Sequence, residues 1–156
     1  MSAVGYSAVT GGAVALTGGT AKTVLGIKAH ANSGLQVKGF SVAFDGVTAS
    51  AVPALIEFCY CTWATNSPGT ASTSVTPLQL YGRVLTVGFT AGKTWTTEPT
   101  TLTVLKELLL TPNGGLFVFQ YPLGTEPDCA LAEGFALRIN APANVNVRAT
   151  MDVERI

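Results

Sequence analysis

Large side chains recur at every second position along much of this chain. In the stretch PALIEFCYCTWA, Ile56, Phe58 and Tyr60 share one phase, and Leu55, Glu57, Cys59, Cys61 and Trp63 share the other. A period of two is the mark of a pleated strand, whose successive side chains point to opposite faces. Both phases carry large apolar groups, so this strand is expected to be covered twice, by a partner sheet and by a neighbouring subunit. The subunit interface is accordingly expected at Glu57, Cys59, Cys61 and Trp63.

The same alternation runs through Thr23–Asn32, with Leu25, Ile27, Ala29 and Ala31 inward, and through VNVRATMDVERI at residues 145–156. Between Leu35 and Phe44 the phase changes at Gly39, which predicts a β-bulge there. Residues 78–90 alternate as a further strand, LTVLKELLL (102–110) suits a strand better than a helix, and FALRINA (135–141) reads as another. LFVFQY (116–121) reads as a strand turned back on 102–110 through Asn113-Gly114, a hairpin signal. About eight strands with turn residues between them predict an all-β fold, an antiparallel two-sheet sandwich of jelly-roll type. Residues 1–22 are rich in Gly, Ala, Thr and Ser and read as an extended N-terminal arm, with a disordered leader as the alternative, leaving 23–156 as the sandwich.

Only 12% of residues are charged, about half the usual ~25%, so much of the surface is expected to meet other protein. Net charge is zero and the basic residues are scattered, which disfavours nucleic acid as a partner. No apolar run is long enough to cross a bilayer, so no membrane association is expected. Residues 1–22 carry no basic n-region before an apolar stretch, so export by the ordinary secretory route is not expected.

Catalytic chemistry finds little support. His30 is the only histidine and there are three cysteines, so neither a paired zinc motif nor a histidine cluster can form, and no metal or other cofactor is expected. Cys59, Cys61 and Cys129 read as small buried hydrophobes with free thiols. No nucleophile elbow or phosphate-cradling glycine loop is present, and the protein is not expected to be an enzyme. Glu57, on an otherwise apolar face, is expected to pair with Arg83, Arg138 or Arg148. Trp95, in the connection AGKTWTTEP, serves either as an anchor on a partner or as a lid over the core.

The blocks VLGIKAHANSGLQVKGFSVAFDGVTAS, FCYCTWATNSPGTAST, GFTAGKTWTTEPT, LLLTPNGGLFVFQYPLG and GFALRINAPANVNVRATMDVER resemble the small jelly-roll proteins that decorate the capsids of tailed bacteriophages. The resemblance covers roughly residues 23–156, in phrase and turn placement rather than in a diagnostic motif. It implies a virion structural protein on the capsid exterior, a homotrimer seated on the major capsid protein across capsomer boundaries. On that reading the arm would contact the capsid through Tyr6, Val9, Val14 and Leu16. The alternative is a glycan- or receptor-binding sandwich module of a phage fibre or virion surface. Its site would lie in the loops 65–77 and 91–99, with Trp63, Trp95 or Tyr81 stacking on the ligand.

Overall fold

The computed structural model describes residues 3–46 and 52–156; residues 1 and 2 of the expected arm, and 47–51, lie outside that range. The described chain is an all-β sandwich of two antiparallel sheets. It contains thirteen strands rather than about eight, because several are only two to four residues long.

The first sheet is built on β4 (Leu35–Phe44) and β13 (Val145–Arg155), which pair along most of their lengths. β10 (Leu116–Gln120) and β11 (Asp128–Cys129) pair with the other side of β4. β1 (Val4–Val9) and β2 (Val14–Leu16) pair with the other side of β13, and β7 (Leu78–Tyr81) lies outside β1. In the second sheet the order is β6 (Thr73–Val75), β8 (Thr90–Lys93), β3 (Ala21–Lys28), β12 (Gly134–Asn140), β5 (Ala54–Cys61) and β9 (Leu102–Leu110). Among the described strands, no ladder joins two that are consecutive in the chain. Every pairing therefore closes a long loop, an entropic cost that the buried faces must repay.

The inward phases meet as expected. Phe40 of β4 stacks on Phe58 of β5 across the sandwich, ring centroids 5.0 Å apart, and Phe58 stacks on Phe135 of β12 at 5.4 Å. In β13, Val147, Ala149, Met151 and Val153 are buried while Asn146 and Arg148 are exposed. The bulge at Gly39 is present: Asp152 lies opposite Gly39 but Val153 lies opposite Val37, so Lys38 is the extra residue. It restores the inward phase after Val37, which is why both Val37 and Phe40 reach the core.

Three expectations are corrected. Residues 4–16 are not an arm but part of the first sheet, with Tyr6, Val14 and Leu16 in the core and Val9 half-buried. They follow a period of two, Val4-Tyr6-Ala8, and β13 offers them a free side to pair with. At Thr10 the course is interrupted by Gly11, whose φ is +67°. Thr10 keeps contact through that break: its N–H donates to the Ala149 carbonyl at 3.0 Å and its Oγ1 accepts from the Ala149 N–H at 3.3 Å. Second, β9 and β10 do not form a hairpin. Residues 111–115 carry the chain from one sheet to the other, so the apolar faces of the two strands meet across the sandwich edge. There Lys106 of β9 sits 4.6 Å from the Phe119 ring centroid, a cation–π contact. Third, the strand expected over 78–90 is paired only at its two ends. Gly82 and Gly88 have φ of +95° and +76°, and between them the chain leaves the ladder to bring Phe89 edge-on to Tyr6, 5.4 Å away.

Candidate interaction surfaces

The outer face of the second sheet is floored by small residues. Gly92 of β8, Gly26 of β3, Ala136 of β12 and Cys59 of β5 stand side by side in register. A β-carbon on Gly26 would come within 2.7 Å of the Cη2 atoms of both Trp63 and Trp95, so the floor is flat because these positions carry either no side chain or a small one. On it lie the two indoles, stacked with centroids 5.7 Å apart and planes 20° from parallel. The Trp63 Nε1–H donates to the Ile27 carbonyl at 2.8 Å, and the Trp95 Nε1–H donates to the Asn66 carbonyl at 2.7 Å. Trp63 and Thr94 both adopt φ of 54°. Such a left-handed backbone costs an ordinary residue on the order of 1–3 kcal/mol and persists only where packing over-determines it. Here the reversal turns each segment back over the sheet.

The loops that carry the indoles are laced together. Asn66 Nδ2 donates to the Glu98 carbonyl at 3.0 Å, the Thr100 N–H donates to Thr65 Oγ1 at 2.9 Å, and the Thr96 N–H donates to the Ala71 carbonyl at 2.8 Å. The Glu98 carboxylate accepts from the Thr23 N–H at 2.9 Å, tying the lid to β3.

This arrangement overturns the subunit interface expected at Glu57, Cys59, Cys61 and Trp63. All four are buried within one chain, and the second cover of Cys61 and Trp63 is the chain's own pair of loops. Trp95 is the lid, only 1% exposed, and neither indole is free to stack on a ligand. Glu57 forms the expected ion pair, with Arg138 rather than Arg83 or Arg148. Arg138 Nε and Nη2 donate to its two carboxylate oxygens at 3.1 Å each, the bidentate geometry that gives the strongest such pairs. The register decides the choice, since Arg138 lies directly opposite Glu57 across the β12–β5 ladder.

The three cysteines are buried, free thiols. Burial pushes the Cys59 thiol up to about 12 and the Cys129 thiol up to about 11, so neither supplies a thiolate near neutral pH. Among the described residues, no group of three or more His, Cys, Asp and Glu side chains converges as a metal site would require.

On the first sheet's outer face Lys38 joins three segments. Its ammonium lies 2.9 Å from Glu126 Oε1 and 3.1 Å from Glu154 Oε2. Tyr81, half-exposed on β7, donates its hydroxyl to the same Glu154 oxygen at 3.1 Å. Its ring lies where a side chain on Gly5 would stand. Tyr81 is thus an element of the sheet's own packing, distant in role from the two indoles.

Exposed large apolar residues collect at both lateral edges. At one edge stand Leu105 and Leu109 of β9 with Leu116 and Val118 of β10; at the other stand Leu78 and Leu80 of β7 with Val84 just beyond. The reading of the alternation missed the first group by treating β9 and β10 as a hairpin, although leucines on both phases of LTVLKELLL were its signal. No family model, no curated protein and no solved structure matches this chain.

Proposed function

We propose that the protein is a non-enzymatic virion structural protein, which assembles as a homotrimer and reinforces a phage capsid from outside by seating across capsomer boundaries. The observation that supports the assembly is the placement of exposed apolar side chains at two opposite edges, Leu109 being 69% and Leu78 62% exposed. Patches of this kind mark protein contacts. Because the two edges differ, the contact that joins one to the other is heterologous, and such contacts close into rings when the rotation allows. With 18 charged residues in 156, attachment would rest on contact area rather than on ion pairs. The resemblance of residues 23–156 to capsid decoration proteins supports the capsid as the surface involved, and a jelly-roll winding belongs to the same reading. With residues 4–16 committed to the sheet, the capsid contact falls on the sandwich surface rather than on an arm.

Sedimentation of the free chain at micromolar concentration, and co-sedimentation with emptied phage capsids, test the two parts separately. A trimer that Leu109→Asp converts to a folded monomer, and that pellets with capsids, is the expected result. A wild-type monomer would sink the assembly, and a trimer left in the supernatant would sink the capsid role.

A further inference from the structure

We infer that the end of the sandwich beside the last strand binds a small ligand through an oxyanion group, a carboxylate or a phosphate, gripped by Arg155 and Arg83. The inference is independent of the capsid reading. It begins with the alternation of β13. Val147, Ala149, Met151 and Val153 take the inward phase and are buried, and Arg155 inherits that phase, opposite Val4 on one side and Leu35 on the other. A guanidinium therefore stands where the pattern calls for an apolar side chain.

Arg155 is not neutralised there. One N–H, on Nη1, donates to the Thr86 carbonyl at 3.1 Å, which leaves most of the five donors of a guanidinium unused. Arg83 makes no side-chain hydrogen bond or ion pair among the described residues, and no carboxylate lies within ion-pair distance of either arginine. Glu154, the nearest acidic neighbour in sequence, is engaged by Lys38 and Tyr81.

The two arginines line one open cavity of about 450 Å³. Asn32 and Ser33, from the turn between β3 and β4, add polar groups to its wall, and the Ser33 hydroxyl has no hydrogen-bond partner among the described residues. Val4, Leu85 and Ile156 supply apolar wall. Ile156 is fixed in this wall by its backbone, which exchanges hydrogen bonds with Gly34 at 3.0 and 3.2 Å. His30 stands close by, since a β-carbon on Gly88 would lie 3.8 Å from its ring and 3.7 Å from Arg155 Nη1.

A planar guanidinium with free paired donors matches a carboxylate or phosphate in bidentate geometry. A second, unpaired guanidinium on the same wall raises the local positive potential. The volume falls within the range typical of small-molecule sites, roughly 300–1,000 Å³. It leaves room beyond the anion for a compact organic body resting on Val4, Leu85 and Ile156.

The test is titration of the full chain, followed by amide chemical shifts, with inorganic phosphate, acetate and glucuronate as separate probes. Saturable shifts are expected at Asn32, Ser33, Leu85 and Arg155, and the stronger probe identifies the anion. Arg83→Gln and Arg155→Gln should each weaken binding by about tenfold or more, as loss of a charge-assisted hydrogen bond does. Arg83 is exposed, so its variant keeps the fold and decides the outcome even if Arg155→Gln destabilises the chain. Absence of saturation with all three probes at tens of millimolar would overturn the inference. So would equal shifts around Lys22 and Lys28, or wild-type affinity in Arg83→Gln.

Discussion

Replacing Trp95 with alanine tests the lid over the second sheet. The indole is almost fully buried, stacks on Trp63 at 5.7 Å, and donates to the Asn66 carbonyl at 2.7 Å. Large-to-small changes at packed aromatic positions cost about 3–5 kcal/mol. Within that, the aromatic pair accounts for roughly 0.5–1.5 kcal/mol. The stranded Asn66 carbonyl adds a net cost near the low end of the ~1–3 kcal/mol range, because water can reach a loop carbonyl once the ring is gone. Against a total stability of roughly 5–15 kcal/mol, that is a large fraction. For a urea slope of ~2 kcal/mol per molar, a loss of ~4 kcal/mol lowers the unfolding midpoint by about 2 M. Equilibrium urea unfolding should be followed by Trp63 fluorescence and by far-ultraviolet circular dichroism, which should report one coincident transition. Gly26→Ala probes the same packing without deleting anything, since its β-carbon would press both rings from 2.7 Å; overpacking of this kind costs about 1–3 kcal/mol. A loss below about 1 kcal/mol for Trp95→Ala at an unchanged slope would refute the reasoning. The indole would then not be seated on the glycine floor, and the outer face of β5 would be open to another subunit after all.

Other consequences are equally direct. Arg138→Met should cost about 1–3 kcal/mol, below the 3–5 kcal/mol of a fully buried pair because Arg138 keeps some solvent; adding Glu57→Gln should recover most of that loss in a double-mutant cycle. The Glu126 carboxyl is held below its ordinary 4.5 by Lys38 and the Gly124 N–H. Its contribution is therefore complete above about pH 4.5 and is lost as pH falls through the folded-state value, so acid titration of stability should flatten in Lys38→Met. Asp152 works the other way, because burial raises its carboxyl and protonation relieves that penalty. Asp152→Asn should accordingly make the acid loss steeper, and a shallower loss would contradict the assignment. Iodoacetamide at pH 8 should leave Cys59 and Cys129 unmodified in the native chain and label both in urea, with mass spectrometry as the readout; rapid native labelling would show that their burial is wrong.

Local pattern was informative wherever one residue's environment depends on its immediate neighbours. The period of two in 54–61 and 145–155 marks strands because the pleat is a local property, and the phase break at Gly39 marks a bulge for the same reason. The charge of Glu57 on an apolar face called for an arginine, since an unpaired buried carboxylate is costly. Which arginine answered was a matter of register, set by the β12–β5 ladder and invisible in the order of residues. Val4, Tyr6 and Ala8 carried the strand period too, but small residues around them look the same in an arm and in a ladder. Only the free side of β13 distinguishes the two.

The chain by itself determined that the fold is all β, that its sheets pair antiparallel, and that both faces of β5 are covered. Tertiary structure alone decided what does the covering. Gly26 and Gly92 lie 66 positions apart in the chain yet stand side by side in the sheet, and their shared flatness admits two tryptophans from separate loops. An alternating pattern records that a face is buried, because burial selects each side chain singly. It holds no record of whether the cover is the same chain or another, because that depends on where distant segments return.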